Sequence, residues 1–150
     1  MHERFTKAAA RNIFFGGSLF FFVVFIALVA MSHNYILTKG TNVAALTDGV
    51  RRGKHVWEKH SCINCHSLQG EGAYFAPELS NVWQRYGGDT DADGARTALK
   101  SWMQSQPSGI EGRRQMPQFN LSEQELDDLA DFFEWTSTVN TQNWPPKISG

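Results

Sequence analysis

Cys62-Ile63-Asn64-Cys65-His66 decides how the rest of the chain is read. C-x-x-C-H is the attachment motif of a c-type haem. Each thiol adds across one vinyl group, and two intervening residues set the sulfurs at a matching separation. The histidine that follows turns under the porphyrin as the proximal iron ligand. The chain has no other cysteine. A disulfide between the pair would be short and strained, with redox activity of the thioredoxin type, and no βαβ pattern surrounds it. A zinc site needs four ligands. Adjacent Cys65 and His66 do not easily share one metal, and no second pair stands nearby.

Outward from the motif, 150 residues allow one compact domain plus a tail or anchor. Charge is near balance, which indicates no nucleic-acid role. The balance hides an asymmetry. Before residue 47, Arg4, Lys7, Arg11 and Lys39 stand against Glu3 alone; the remainder carries ten basic and fourteen acidic residues. A basic head precedes an acidic domain.

Ile13 to Met31 reads IFFGGSLFFFVVFIALVAM, without a charge. As a helix it spans about 28 Å, close to the hydrocarbon thickness of a bilayer. It is apolar on every face, unlike a surface helix. The run exceeds the apolar core of a signal peptide, and no small-x-small cleavage site follows, since Leu28 would occupy the −3 position for cleavage after Ala30. We read a retained transmembrane helix over 13–31, extending to about 6–36. Residues 1–12 precede it, 32–46 form a connector, and 47–150 form the domain. Gly16, Gly17, Ser18 and Ala27 would let a second membrane helix approach closely. Arg4, Lys7 and Arg11 precede the span and only Lys39 follows it nearby, so the positive-inside rule puts residues 1–12 in the cytoplasm and the domain outside.

Within the domain, Thr47-Asp48 caps a helix over 49–60, with Val50, Lys54 and Trp57 on one face and Gly53 and Val56 beside it. Glycine inside a helix costs stability unless something packs closely on it, and the last helix is the expected partner. That helix opens on the capping box Ser122 to Glu125 and carries Leu126, Leu129, Ala130 and Phe133 as a helical stripe, flanked by Phe132 and Trp135. Asp127, Asp128, Asp131 and Glu134 fall off the stripe and read as a solvated face, which could also steer a basic donor protein. A third helix over 94–106 puts Leu99, Trp102 and Met103 on one side. Asp89, Asp91 and Asp93 lack the closing glutamate of an EF-hand. They read as a flexible polar loop and helix cap.

A sixth iron ligand could come from Met103, Met116, His33, His55 or His60. His55 and His60 lie just upstream of the motif, on the side of His66. Met103 sits on an apolar helical face, where methionine is usually core filling. Met116 stands before Pro117 in a loop that proline holds out of helix, so Met116 is the expected ligand. His/Met ligation leaves no open coordination site and favours outer-sphere electron transfer.

These residues together resemble a class I cytochrome c, an all-α fold. Gly53 and Trp57 match the glycine and aromatic of its first helix. Ala76-Pro77-Glu78-Leu79 looks like its G-P-x-L turn, with Ala76 in place of glycine. Trp102, Pro107 and Met116 follow its order of helix, proline and ligand loop, and the separation of Gly53 from Cys62 is one residue longer than usual. The resemblance implies that the Pro77 carbonyl accepts a hydrogen bond from His66 and that Trp102 packs on the haem.

A closer resemblance is to the membrane-anchored cytochrome c subunits of bacterial nitric oxide reductases. It is carried by the single span, CINCH, Gly70-Glu71-Gly72-Ala73-Tyr74-Phe75-Ala76-Pro77-Glu78-Leu79, and the ending Phe132-Phe133-Glu134-Trp135 through Asn143-Trp144-Pro145-Pro146. It implies an electron-transfer subunit in the bacterial inner membrane, not itself catalytic. Its donor would be a soluble periplasmic cytochrome c or cupredoxin. Its partner would be a large multi-span subunit with haem b, haem b3 and non-haem iron, which reduces NO to N2O. It also implies a calcium ion between the subunits, held by the Gly72 carbonyl and Tyr74. The plainer reading of those two residues is a turn glycine and a ring packed at the haem edge. Two other readings share the anchor-plus-haem plan: a membrane-tethered shuttle, which the short connector disfavours, and a subunit of a cbb3-type oxidase. A haem sensor with an open site would require that Met116 not be a ligand.

Overall fold

Helix signals at both ends of the chain carry over into the computed structural model, which describes residues 6–144. The chain divides into two units, one up to Lys39 and the other from Gly40.

The first unit is helix α1, Lys7–Tyr35, extended by a π turn over Ile36–Gly40. Thr6 caps it, its hydroxyl accepting from Ala9 N at 3.1 Å. None of its residues is buried, and the space beside Gly16 and Gly17 is open to 4 Å. Among the described residues it is the one helix long and apolar enough to cross a membrane, as the uninterrupted apolar run requires. Arg4 lies outside the described residues, as do Pro145 and Pro146.

The second unit starts earlier than the expected connector allows. The Gly40 carbonyl accepts from Asn140 N at 2.9 Å and the Asn42 carbonyl from Trp135 Nε1 at 3.0 Å. Those bonds tie residues 40–46, including a short 3-10 turn Val43–Ala45, to the end of the last helix.

Helix α2, Asp48–Lys59, is capped by Thr47, whose hydroxyl accepts from Val50 N. Gly49, Val50, Gly53, Val56 and Trp57 are its buried face; Lys54 is not on it but points outward and pairs with Glu58 at 3.2 Å. A 3-10 turn, Cys62–Asn64, leads to the strands β1, Ser67–Leu68, and β2, Glu71–Gly72, paired antiparallel with Ser67 opposite Gly72. The domain is mostly helical, as expected, and this two-residue hairpin is its one addition among the described residues. Residues 69–70 make it by turning the chain back with positive φ at both positions. Helix α3, Val82–Arg85, is a single turn that buries Val82 and Trp83. Helix α4, Ala92–Gln104, begins and ends two residues before its expected bounds because the Asp91 side chain caps it through Gly94 N. Helix α5, Glu123–Ser137, has the complete Ser122–Glu125 capping box.

Helices α2 and α5 meet where α2 has no side chain. A Cβ built on Gly53 would overlap the Asp128 carbonyl and lie 2.7 Å from Phe132 Cβ. Val50, Trp57, Val82, Leu99, Leu129, Ala130, Phe132 and Phe133 close into one core. Trp57 sits edge-on to Phe133 within it, at 6.0 Å between ring centres.

The acidic face of α5 is not simply solvated. Asp128 is 3 % exposed and accepts twice from Arg52, at 2.8 and 2.9 Å. Asp127 pairs with Lys100, and Asp131 and Glu134 both pair with Arg96. The cations come from α2 and α4, which flank α5 and supply opposite charge along its polar side.

Candidate functional site

The turn Cys62–Asn64 brings His66 back beside its own start, His66 N donating to the Cys62 carbonyl at 2.9 Å. This folds the motif against a cavity of about 360 Å³ whose walls include Trp57, Cys62, His66, Pro77, Leu79, Leu99, Trp102, Met103, Met116 and Phe133. His66 is buried, and its Nδ1 lies 2.7 Å from the Pro77 carbonyl. Nδ1–H donates to that oxygen, so Nε2 carries the lone pair and is the ligating nitrogen. Burial, and after it the Arg85 charge, hold the imidazole below its usual pKa against the opposing effect of the Pro77 bond. The ring stays neutral and able to bind a metal.

The two thiols differ. Cys62 is half-buried on the cavity wall, and burial pushes its thiol up to about 11. Cys65 is exposed. Trp102 lines the cavity while remaining 43 % exposed, so it closes the cavity at its solvent side.

Met116 and Met103 both line this cavity, whereas His55 and His60 are not among its walls. His60 stands edge-on to Phe119 at 5.4 Å. His33 belongs to α1. The cavity therefore narrows five candidate ligands to two thioethers.

Gly72 has φ +118°, and a Cβ there would overlap the His66 carbonyl and lie 2.8 Å from Ile63 Cγ1. Only glycine lets this strand cross the motif so closely. Tyr74 is 71 % exposed, its hydroxyl donating to the Gly70 carbonyl at 3.3 Å. It points to solvent and is not a cavity wall, so the plainer reading of it as a ring at the haem edge does not hold. Among the described residues no group of three or more His, Cys, Asp or Glu could hold a metal by itself, Asp89, Asp91 and Asp93 included.

Sequence reasoning missed Arg85 and Tyr86, which bring a guanidinium and a phenol to the apolar wall. Arg85 Nη2 donates to the Glu78 carbonyl at 2.7 Å. Burial lowers the Arg85 pKa and raises that of Tyr86. Both belong to or follow α3, a helix too short to leave a periodic pattern.

An apolar cavity with a thiol and a neutral imidazole on its wall, closed by thioethers and lying among short helices, is the site of a cytochrome c. The cytochrome c family profile matches residues 50–137. Over all 150 residues the chain is 55 % identical to the nitric oxide reductase cytochrome c chains of Halomonas halodenitrificans and of Paracoccus denitrificans. It is 53 % identical to that of Stutzerimonas stutzeri, and each match spans the full length of both chains. The chain belongs to this family, the electron-transfer cytochrome c subunits of nitric oxide reductase.

Proposed function

We propose that this chain is the electron-accepting subunit of a nitric oxide reductase. It would take electrons from a soluble periplasmic cytochrome c or cupredoxin and pass them to haem b of a large catalytic subunit. In this reading α1 anchors it in the bacterial inner membrane with the N-terminus cytoplasmic. The observation that carries the reading is the His66–Pro77 bond on a cavity shared with Cys62 and Met116. When bound, haem c supplies a one-electron couple. Cys62 and Cys65 hold it covalently, and His66 and Met116 are its axial ligands. Arg85 and Tyr86 offer donors to its carboxylate edge. Trp57, Leu99, Trp102 and Phe133 exclude water, which leaves little solvent to reorganise. The loop from Gly70 to Leu79 faces the large subunit, with the Gly72 carbonyl and Tyr74 offered to an intersubunit calcium.

Optical and paramagnetic resonance spectra of Met116→Ala and Met103→Ala test the ligand set. Loss of the low-spin spectrum in Met116→Ala alone is expected; loss in Met103→Ala alone would transfer the ligand role to α4. Purification in mild detergent through a tag on this chain tests the partner. A stoichiometric large subunit with b-type haem and non-haem iron, consuming NO, is expected. Recovery of this chain alone would favour a tethered shuttle, and recovery with an oxygen-reducing partner a cbb3-type oxidase. Tyr74→Ala should release calcium from the purified complex without altering the haem c spectrum.

A further inference from the structure

The bond between Pro77 and His66 is only as firm as the peptide that carries the Pro77 carbonyl, and that peptide runs directly into Glu78. Glu78 is buried, 6 % exposed. Its carboxylate accepts from Gln69 N at 2.9 Å, from Ser80 N at 2.9 Å and from Ser80 Oγ at 2.5 Å. Every one of these partners donates, and acceptor-only bonding is what an ionised carboxylate offers. Burying such a group is costly unless donors are already in place. Here two main-chain N–H groups and a hydroxyl supply them.

The placement matters because of what it closes. Main-chain bonds lace the motif to the following loop: Ala73 N to the Ile63 carbonyl, Ala76 N to the Cys65 carbonyl and Leu79 N to the Ser67 carbonyl. Glu78 adds a tie from that loop to Gln69, three residues past His66. The segment His66 to Gln69 and the pair Pro77–Glu78 thus form a ring. The imidazole bond closes one side and the carboxylate closes the other. With the carboxylate tie gone, the peptide between Pro77 and Glu78 can tilt about the bond at Leu79 and draw the Pro77 oxygen off Nδ1.

We propose that Glu78 is a positioning residue for the proximal ligand: its buried carboxylate fixes the Pro77 carbonyl on His66 and thereby keeps the reduction potential of the bound haem low. This rests on the reading of His66 as that ligand. Donation from Nδ1–H makes Nε2 a stronger base, which favours ferric over ferrous iron. A buried negative charge near the site acts in the same direction.

The test is a redox titration of the full-length chain with its haem, in detergent, for the wild type and for Glu78→Gln, Glu78→Asp and Glu71→Gln. Glu78→Gln raises the reduced-to-oxidised ratio at fixed solution potential by about tenfold, or about 59 mV for one electron, with the low-spin spectrum kept. Glu78→Asp retains the charge but is one methylene shorter, and raises the ratio by less. Glu71→Gln removes an exposed carboxylate from the same hairpin and leaves the ratio within about twofold, which excludes a general charge effect on the order expected at exposed sites. Ratios within about twofold of wild type in both Glu78 variants would overturn the proposal. Should Glu78→Gln fail to take up haem, Glu78→Asp decides alone: a raised ratio supports the tie, an unchanged one sinks it. The wild-type spectrum, recorded first, checks the ligand reading separately, since a haem without histidine ligation shows there before any variant is compared.

Discussion

Gly53 is where a single methyl group separates a closed domain from an open one. Its absent side chain lets the Asp128 main chain occupy the space where a Cβ would stand. The blocking atom belongs to the backbone, so no rotamer change relieves the clash. Gly53→Ala should therefore cost about 3 kcal/mol, at the upper end for overpacking, measured by denaturant unfolding of the haem-loaded protein. Gly53 is legible in the sequence because glycine inside an otherwise regular helix has few other reasons to be there. The motif residues and Pro77 are legible because spacing and family pattern fix them. Met103 is harder, since a methionine on an apolar helical face reads as filling whether or not a cofactor lies beyond it, and the cavity shows it beside Met116. Lys54 misleads because helical periodicity places it near Val50 and Trp57 while its charge takes it to Glu58.

At the scale of elements, α5 shows both what periodicity reveals and what it hides. Its stripe and capping box follow from local sequence alone. The partners of its acids do not, because Arg52, Arg96 and Lys100 lie on other helices and reach it only after folding. Hairpin β1–β2 and the single turn α3 escape detection for a related reason: each is shorter than the window in which a period can be counted. The cap of α5 also has a pH signature. The Lys59 ammonium, together with the Ser122 backbone and hydroxyl, pulls the Glu125 carboxyl down from its ordinary 4.5 to about 2. Because the folded value is the lower one, the ionised cap stabilises the helix fully above pH about 4.5. That contribution is lost as pH falls through about 2. Thermal midpoints of the wild type and Glu125→Gln should differ most above pH 5 and converge as the solution is acidified. A constant difference down to the lowest pH would mean that Glu125 acts only through its shape.

The whole chain separates into an apolar helix with no buried residue and a domain with its own core. A fragment beginning at Gly40, exported and loaded with haem, should keep the absorption spectrum of the full chain and leave the membrane fraction. Loss of the spectrum on removing α1 would mean that the anchor supports the site. The cations around α5 bear on how the domain meets its electron donor. Six acids of that helix are matched by Arg52, Lys59, Arg96 and Lys100, so the local field reaching solvent is that of a small residual charge. Long-range steering of a basic donor is correspondingly weak. The kinetic salt effect should show it: the second-order rate constant for reduction by a basic donor, plotted against ionic strength, should fall along a shallow slope, and encounter is then governed by diffusion and contact at the haem face more than by attraction at a distance.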